Sequence, residues 1–109
     1  MAYDERLAVR IRSVLAGMNG VSERKMFGGL AVLVDGNMAC GVIGDELMLR
    51  LGRDGAEEAL LRPNVRPMDF TGRPMTGMVY VEPAGLRGVA LRKWVERSVA
   101  YARSLPPKV

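Results

Sequence analysis

The stretch GGLAVLVDGNMACGVIGDELMLRLG, Gly28 to Gly52, constrains the fold more than any other part of the chain. Asp35-Gly36 is a two-residue hairpin signal, because both central positions of the favoured turn need positive φ. Gly44-Asp45 offers a second turn, and together the two cut the stretch into a three-stranded meander. Pairing Val34 with Asn37 and Ile43 with Glu46 sets Ala31, Leu33, Met38, Cys40, Val42, Leu47, Leu49 and Leu51 on one side. That side carries no charge and is expected to be the core face. The other side holds Leu30, Val32, Val34, Asn37, Ala39, Gly41, Ile43, Glu46, Met48 and Arg50. Its centre is apolar, so a second element of the chain or a partner has to cover it.

The flanking segments read as helices and further strands. Asp4 can cap a helix in which Leu7, Ile11, Val14, Leu15 and Met18 recur at helical spacing, stopped by Gly17 or Gly20. After the meander, DGAEEALLR reads as a short helix with Asp54 as its cap and Pro63 as its end. Val65 to Phe70 and Met78 to Glu82 read as two more strands, with Pro67 confined to an edge or a bulge because it lacks a ladder donor. A last helix runs from about Gly88 to Arg103, with Leu91, Trp94, Val95, Val99 and Ala102 on its apolar face and Arg92 paired to Glu96. The expected architecture is one α+β domain over residues 1–109, α-β(3)-α-β(2)-α, with helices packed on a single antiparallel sheet.

Composition removes several functions. There is no histidine among the 109 residues, so the commonest general base and most zinc sites are absent. One cysteine excludes an internal disulfide and fits a reducing compartment; mid-strand on the core face, Cys40 reads as a buried hydrophobe. No standard nucleotide cradle is present, and neither the adjacent Glu57 and Glu58 nor Asp69 finds a second carboxylate for acid–base work. A cofactor-free protein that is not an enzyme is expected. No apolar run reaches the ~20 residues of a membrane span, and the acids near the N-terminus do not suit a signal peptide, so the expectation is a cytoplasmic protein.

Charge points to partners instead. Nine basic residues between Arg62 and Lys108 face only Asp69, Glu82 and Glu96, and thirteen of the sixteen basic residues are arginine. Arginine suits bidentate contact with phosphate or carboxylate. Arg24 and Lys25 precede Gly28 and Gly29, whose amides could complete an anion site. The last helix presents Arg92, Lys93 and Arg97 with few amides or hydroxyls for base edges, which suits phosphate contact better than sequence reading.

The stretch RPMDFTGRPM, Arg66 to Met75, reads as a constrained loop. Asp69 can accept from the amides of Phe70, Thr71 or Gly72, Gly72 supplies positive φ, and Pro74 sets the return direction. Arg73 is left as the loop's cation.

Three stretches in order, Arg24 to Gly29, Gly36 to Gly41 and Arg66 to Met75, together with Trp94-Val95 and the tail Ser104 to Lys108, resemble the TfoX N-terminal domain family. The likeness covers roughly Leu7 to Lys108. It implies the same α-β(3)-α-β(2)-α order and kinship to the TfoX/Sxy co-regulators of natural competence, which are not enzymes. Those regulators carry a second, C-terminal domain, so this chain resembles the stand-alone form. Thr76 stands where relatives often have lysine, one fewer charge for a phosphate contact.

The leading expectation is a regulatory or adaptor domain that contacts a protein of the transcription machinery, with nucleic acid assisting. Arg24, Lys25, Arg73, Arg92, Lys93 and Arg97 are the expected contact residues; Gly28, Gly29, Asp69, Gly72 and Pro74 shape the loops. One alternative is a module binding a small anion or ligand between Gly28-Gly29 and the Arg66–Met75 loop. Another is a homodimer through the sheet face around Leu30, Val32, Ala39 and Met48, in which Val32→Glu gives a folded monomer.

Overall fold

The computed structural model describes residues 3–26, 28–70 and 73–107. Helix α1 spans Glu5–Leu15 and starts where the sequence places it. Asp4 Oδ1 accepts from the amides of Arg6 at 2.8 Å and Leu7 at 3.3 Å, which satisfies two donors that have no partner within the helix. Leu7, Ala8, Ile11 and Leu15 form its buried stripe.

Four strands follow: β1 Val21–Met26, β2 Gly29–Val34, β3 Asn37–Ile43 and β4 Glu46–Arg50. Asp35 and Gly36 adopt φ of 53° and 82°, and Val34 pairs with Asn37; the second turn sets Ile43 opposite Glu46. The strand β1 is the addition to the sequence reading. Its residues VSERKM carry no alternation of apolar and polar groups, because nearly the whole strand is exposed.

Helix α2 spans Gly52–Ala59, with its cap three residues earlier than the sequence suggests. Asp54 lies inside its first turn, and Leu51 stands at the N-cap without a side-chain bond. Strands β5 Val65–Phe70 and β6 Arg73–Val81 come next, then a single 3-10 turn and α3, Ala90–Ser104. The expected loop Arg66 to Met75 is therefore mostly strand. Asp69 pairs with Pro74 and Phe70 with Arg73, leaving only residues 71 and 72 between them. The Asx turn expected from Asp69 rests partly on those two, Gly72 included, which lie outside the described residues. Pro67 meets both of its conditions: β5 is an edge strand, and its ladder is irregular between Pro67 and Asp69.

The sheet has six strands in the order β1-β2-β3-β4-β6-β5, and every neighbouring pair is antiparallel. The α+β class and the single antiparallel sheet hold, with four strands before α2 in place of three. Helix α3 lies across β2, β3 and β4, α1 packs on α3 and β3, and α2 packs on β6. No described helix is long and apolar enough to cross a membrane.

The face beneath the helices differs from the expected one in its first half. The β2–β3 ladder shifts by one residue: Leu33 pairs with Met38, but Val32 pairs with Cys40. Ala39 is the extra residue of a bulge. Leu30, Val32, Val34, Ala39, Cys40, Val42, Leu47 and Leu49 are consequently buried with α1, α2 and α3 in one cluster. Ala31 and Met38 turn to the opposite side. A one-residue shift exchanges the faces of everything beyond it. Leu30, Val32 and Ala39 are thus core residues, and the dimer surface drawn around them does not exist.

Candidate functional site

Among the described residues, the side of the sheet away from the helices is built from strands alone. Ala31, Met48, Met68, Met78 and Tyr80 are its buried residues, with Met26, Met38 and Ile43 packed around them. No helical residue belongs to this cluster. Met48, Met68 and Met78 are themselves buried, so the methionines of this side that reach solvent are the half-buried Met26 and Met38, whose unbranched, polarisable side chains adapt to varied shapes. Gly41 keeps the centre low: a Cβ there would lie 2.4 Å from the Leu30 carbonyl oxygen and 2.7 Å from Met48 Cε.

Charges border this apolar centre at two corners. At one, Arg66 lies 4.4 Å from the centre of the Tyr80 ring and donates to Glu46 through Nε at 2.9 Å and through Nη2. The Glu46 carboxylate raises the guanidinium's pKa, while burial raises that of the Tyr80 phenol against the pull of Arg66. This corner is internally neutralised. At the other, Ser22, Arg24, Met26, Leu33, Gly36, Met38 and Arg50 line a depression of about 530 Å³. Arg24 and Arg50 enter none of the ion pairs among the described residues. Arg50 stands at the end of β4 with its guanidinium carbon 5.7 Å from the centre of the Tyr101 ring.

The six expected contact residues do not come together. Arg24 pairs with Ala31 and faces the helix-free side, whereas Lys25 pairs with Leu30 and points to the helix side. Arg73 opens β6 next to the far edge, and its side chain lies outside the described residues. Arg92 and Lys93 are exposed on α3; Arg92 reaches Glu96 at 3.9 Å. Arg97 is already engaged, 5.0 Å from the centre of the Trp94 ring and 2.7 Å from a Glu58 oxygen. Arg50 was missed as a site residue, although its place on the face opposite Leu49 was legible.

The expected ligand site is also taken apart. Gly28 and Gly29 sit at the β1–β2 turn, at the end of the sheet that holds Ile43 and Glu46. The β5–β6 turn lies beyond Met78 and Arg50, at the other end and the other edge. These are diagonal corners of one sheet, so no small ligand touches both. Gly28 has φ 73°, and Gly29 packs directly on the β3 backbone, where a Cβ would lie 2.3 Å from the Val42 carbonyl oxygen. Both glycines serve the turn and its close approach.

Cys40 is fully buried, and burial pushes its thiol up to about 12. A thiol held that far above neutral pH is a poor nucleophile. Among the described residues no group of three His, Cys, Asp or Glu side chains is placed to hold a metal ion.

The family model of the TfoX N-terminal domain matches residues 13–102, from the last turn of α1 to the last turn of α3. No curated protein matches the chain, and no solved structure does.

Proposed function

We propose that this chain, which belongs to the TfoX N-terminal domain family, is a non-enzymatic regulatory or adaptor domain that works by protein contact. The observation that carries the reading is the asymmetry of the sheet. All three helices serve one face, while the other carries the half-buried Met26 and Met38 in a depression with two arginines that enter no ion pair among the described residues. A depression that combines half-buried Met26, Leu33 and Met38 with two arginines suits a protein partner with apolar and acidic groups. The kinship to co-regulators of competence makes the transcription machinery the class in which to seek that partner. Nucleic acid has a secondary part: the cations are spread over both faces and both edges, so phosphate contacts would be few and blind to sequence.

Duplex DNA binding by fluorescence anisotropy across a salt series tests the division between protein and nucleic acid. The reading expects dissociation constants no tighter than roughly 10⁻⁴–10⁻⁶ M at physiological salt, equal for unrelated sequences, with a shallow salt slope. Tight binding that discriminates between duplexes contradicts it and makes the domain a direct DNA reader.

A further inference from the structure

A six-stranded open sheet has two edges, and here they differ. The edge at β5 carries Pro67 and an irregular ladder, two devices that block pairing with another strand. The edge at β1 carries neither. Its six residues pair with β2 without a break, contain no proline, and leave Ser22, Glu23, Arg24 and Lys25 exposed. An uninterrupted edge presents unpaired backbone donors and acceptors and is a template for another strand.

The charges along β1 say which strand fits. Glu23 is already satisfied: Arg12 Nε and Nη2 donate to its two oxygens at 2.8 and 2.9 Å. Arg24 on the helix-free side and Lys25 on the helix side have no acidic partner among the described residues. The edge is therefore positive on both faces. A second copy of this chain is the weaker match. A continuous sheet made by a two-fold axis at mid-strand sets Glu23 against Glu23, or sets Arg24 against Arg24 with Glu23 opposite Lys25 on either side. One like-charge contact remains in both registers, and the second draws Glu23 away from Arg12. A strand with acids opposite Arg24 and Lys25 meets attraction at both and leaves Glu23 to Arg12. Beside Arg24, the depression over Leu33 and Met38, with Arg50 beyond them, has room for an apolar side chain reaching across the small Ser22.

We propose that the outer edge of β1 accepts an extended acidic segment of a partner protein as a seventh strand. Main-chain pairing holds the segment, and Arg24 and Lys25 select its charge. This rests on the adaptor reading and gives it a surface and a partner chemistry.

The test uses the full chain, labelled for amide detection by NMR, and three synthetic octapeptides. One repeats Glu-Glu-Val-Val so that each face of the strand carries both residues, one repeats Lys-Lys-Val-Val, and one is the glutamate peptide with every second backbone nitrogen methylated. The first is expected to bind with its largest shifts at Val21–Met26 and to slow amide exchange there. The other two are expected to bind at least about tenfold more weakly. Arg24→Glu reverses the preference between the glutamate and lysine peptides, while Arg53→Glu on the exposed side of α2 leaves it unchanged. Binding that ignores peptide charge or methylation, or that leaves the β1 amides unaltered, overturns the proposal. So does a concentration-dependent dimer that protects those amides without peptide. A glutamate peptide that binds as described while deletion of the gene changes no transcript would sink the regulatory reading and leave the edge site standing.

Discussion

Val32→Glu abolishes the cooperative unfolding transition, or lowers the melting temperature by about 15–30 °C, when followed by circular dichroism. Val32 is 1% exposed and sits in the cluster shared with all three helices. A carboxylate placed there has no cation within the apolar layer, and an unpaired buried charge costs several kcal/mol. At about 4 kcal/mol the loss approaches the whole stability of a marginal domain, and each kcal/mol shifts the midpoint by about 4–8 °C at this size. If the other face of β2 were the buried one, the same variant would stay folded. A folded, monomeric Val32→Glu protein would restore the dimer surface drawn from sequence and refute the bulge at Ala39.

Trp94→Ala lowers stability by about 3–5 kcal/mol, the range for deleting a large buried aromatic. Trp94 is 7% exposed in the core cluster on α3, and two guanidinium groups cover its ring. Arg62 lies 5.6 Å and Arg97 5.0 Å from the ring centre. Glu58 ties them together, accepting from Arg62 at 2.7 and 3.0 Å and from Arg97 at 2.7 Å, and these two contacts hold its carboxyl below the usual carboxylate range. Most of the loss comes from apolar area; the exposed cation–π contacts add only about 0.5–1 kcal/mol each. Arg97→Ala should accordingly be mild, about 1 kcal/mol. Denaturant melts of the two variants check the ratio. Equal losses would mean that the charged cover, rather than the ring, anchors α3 to α2.

The parts of the fold with local physical signals were legible in the sequence. Asp4 before an apolar stripe marks α1, Asp35-Gly36 marks the β2–β3 turn, and Trp94 with its neighbours marks the buried side of α3. The parts set by tertiary context were not. Strand β1 is exposed on both faces, so it has no hydrophobic period to find. The bulge at Ala39 lies in the run Ala39-Cys40-Gly41, whose small residues fit either face and conceal the shift. In RPMDFTGRPM, Pro67 imitates a loop residue, because an edge strand with a broken ladder tolerates it. The candidate site suffered from the same cause. Arg24 and Lys25 are adjacent in sequence and point to opposite faces, while Arg24 and Arg50, far apart in sequence, share one depression.

The central claim is that the helix-free face and its cationic corner do the protein's work. Transcript levels in a strain lacking the gene, set beside a strain carrying the Arg24→Glu, Arg50→Glu double variant at normal abundance, test it most directly. The account predicts that both strains alter the same set of transcripts, because removing that corner removes the contact through which the domain acts. A deletion that changes transcripts while the double variant behaves as wild type would contradict the claim and move the working surface elsewhere on the molecule.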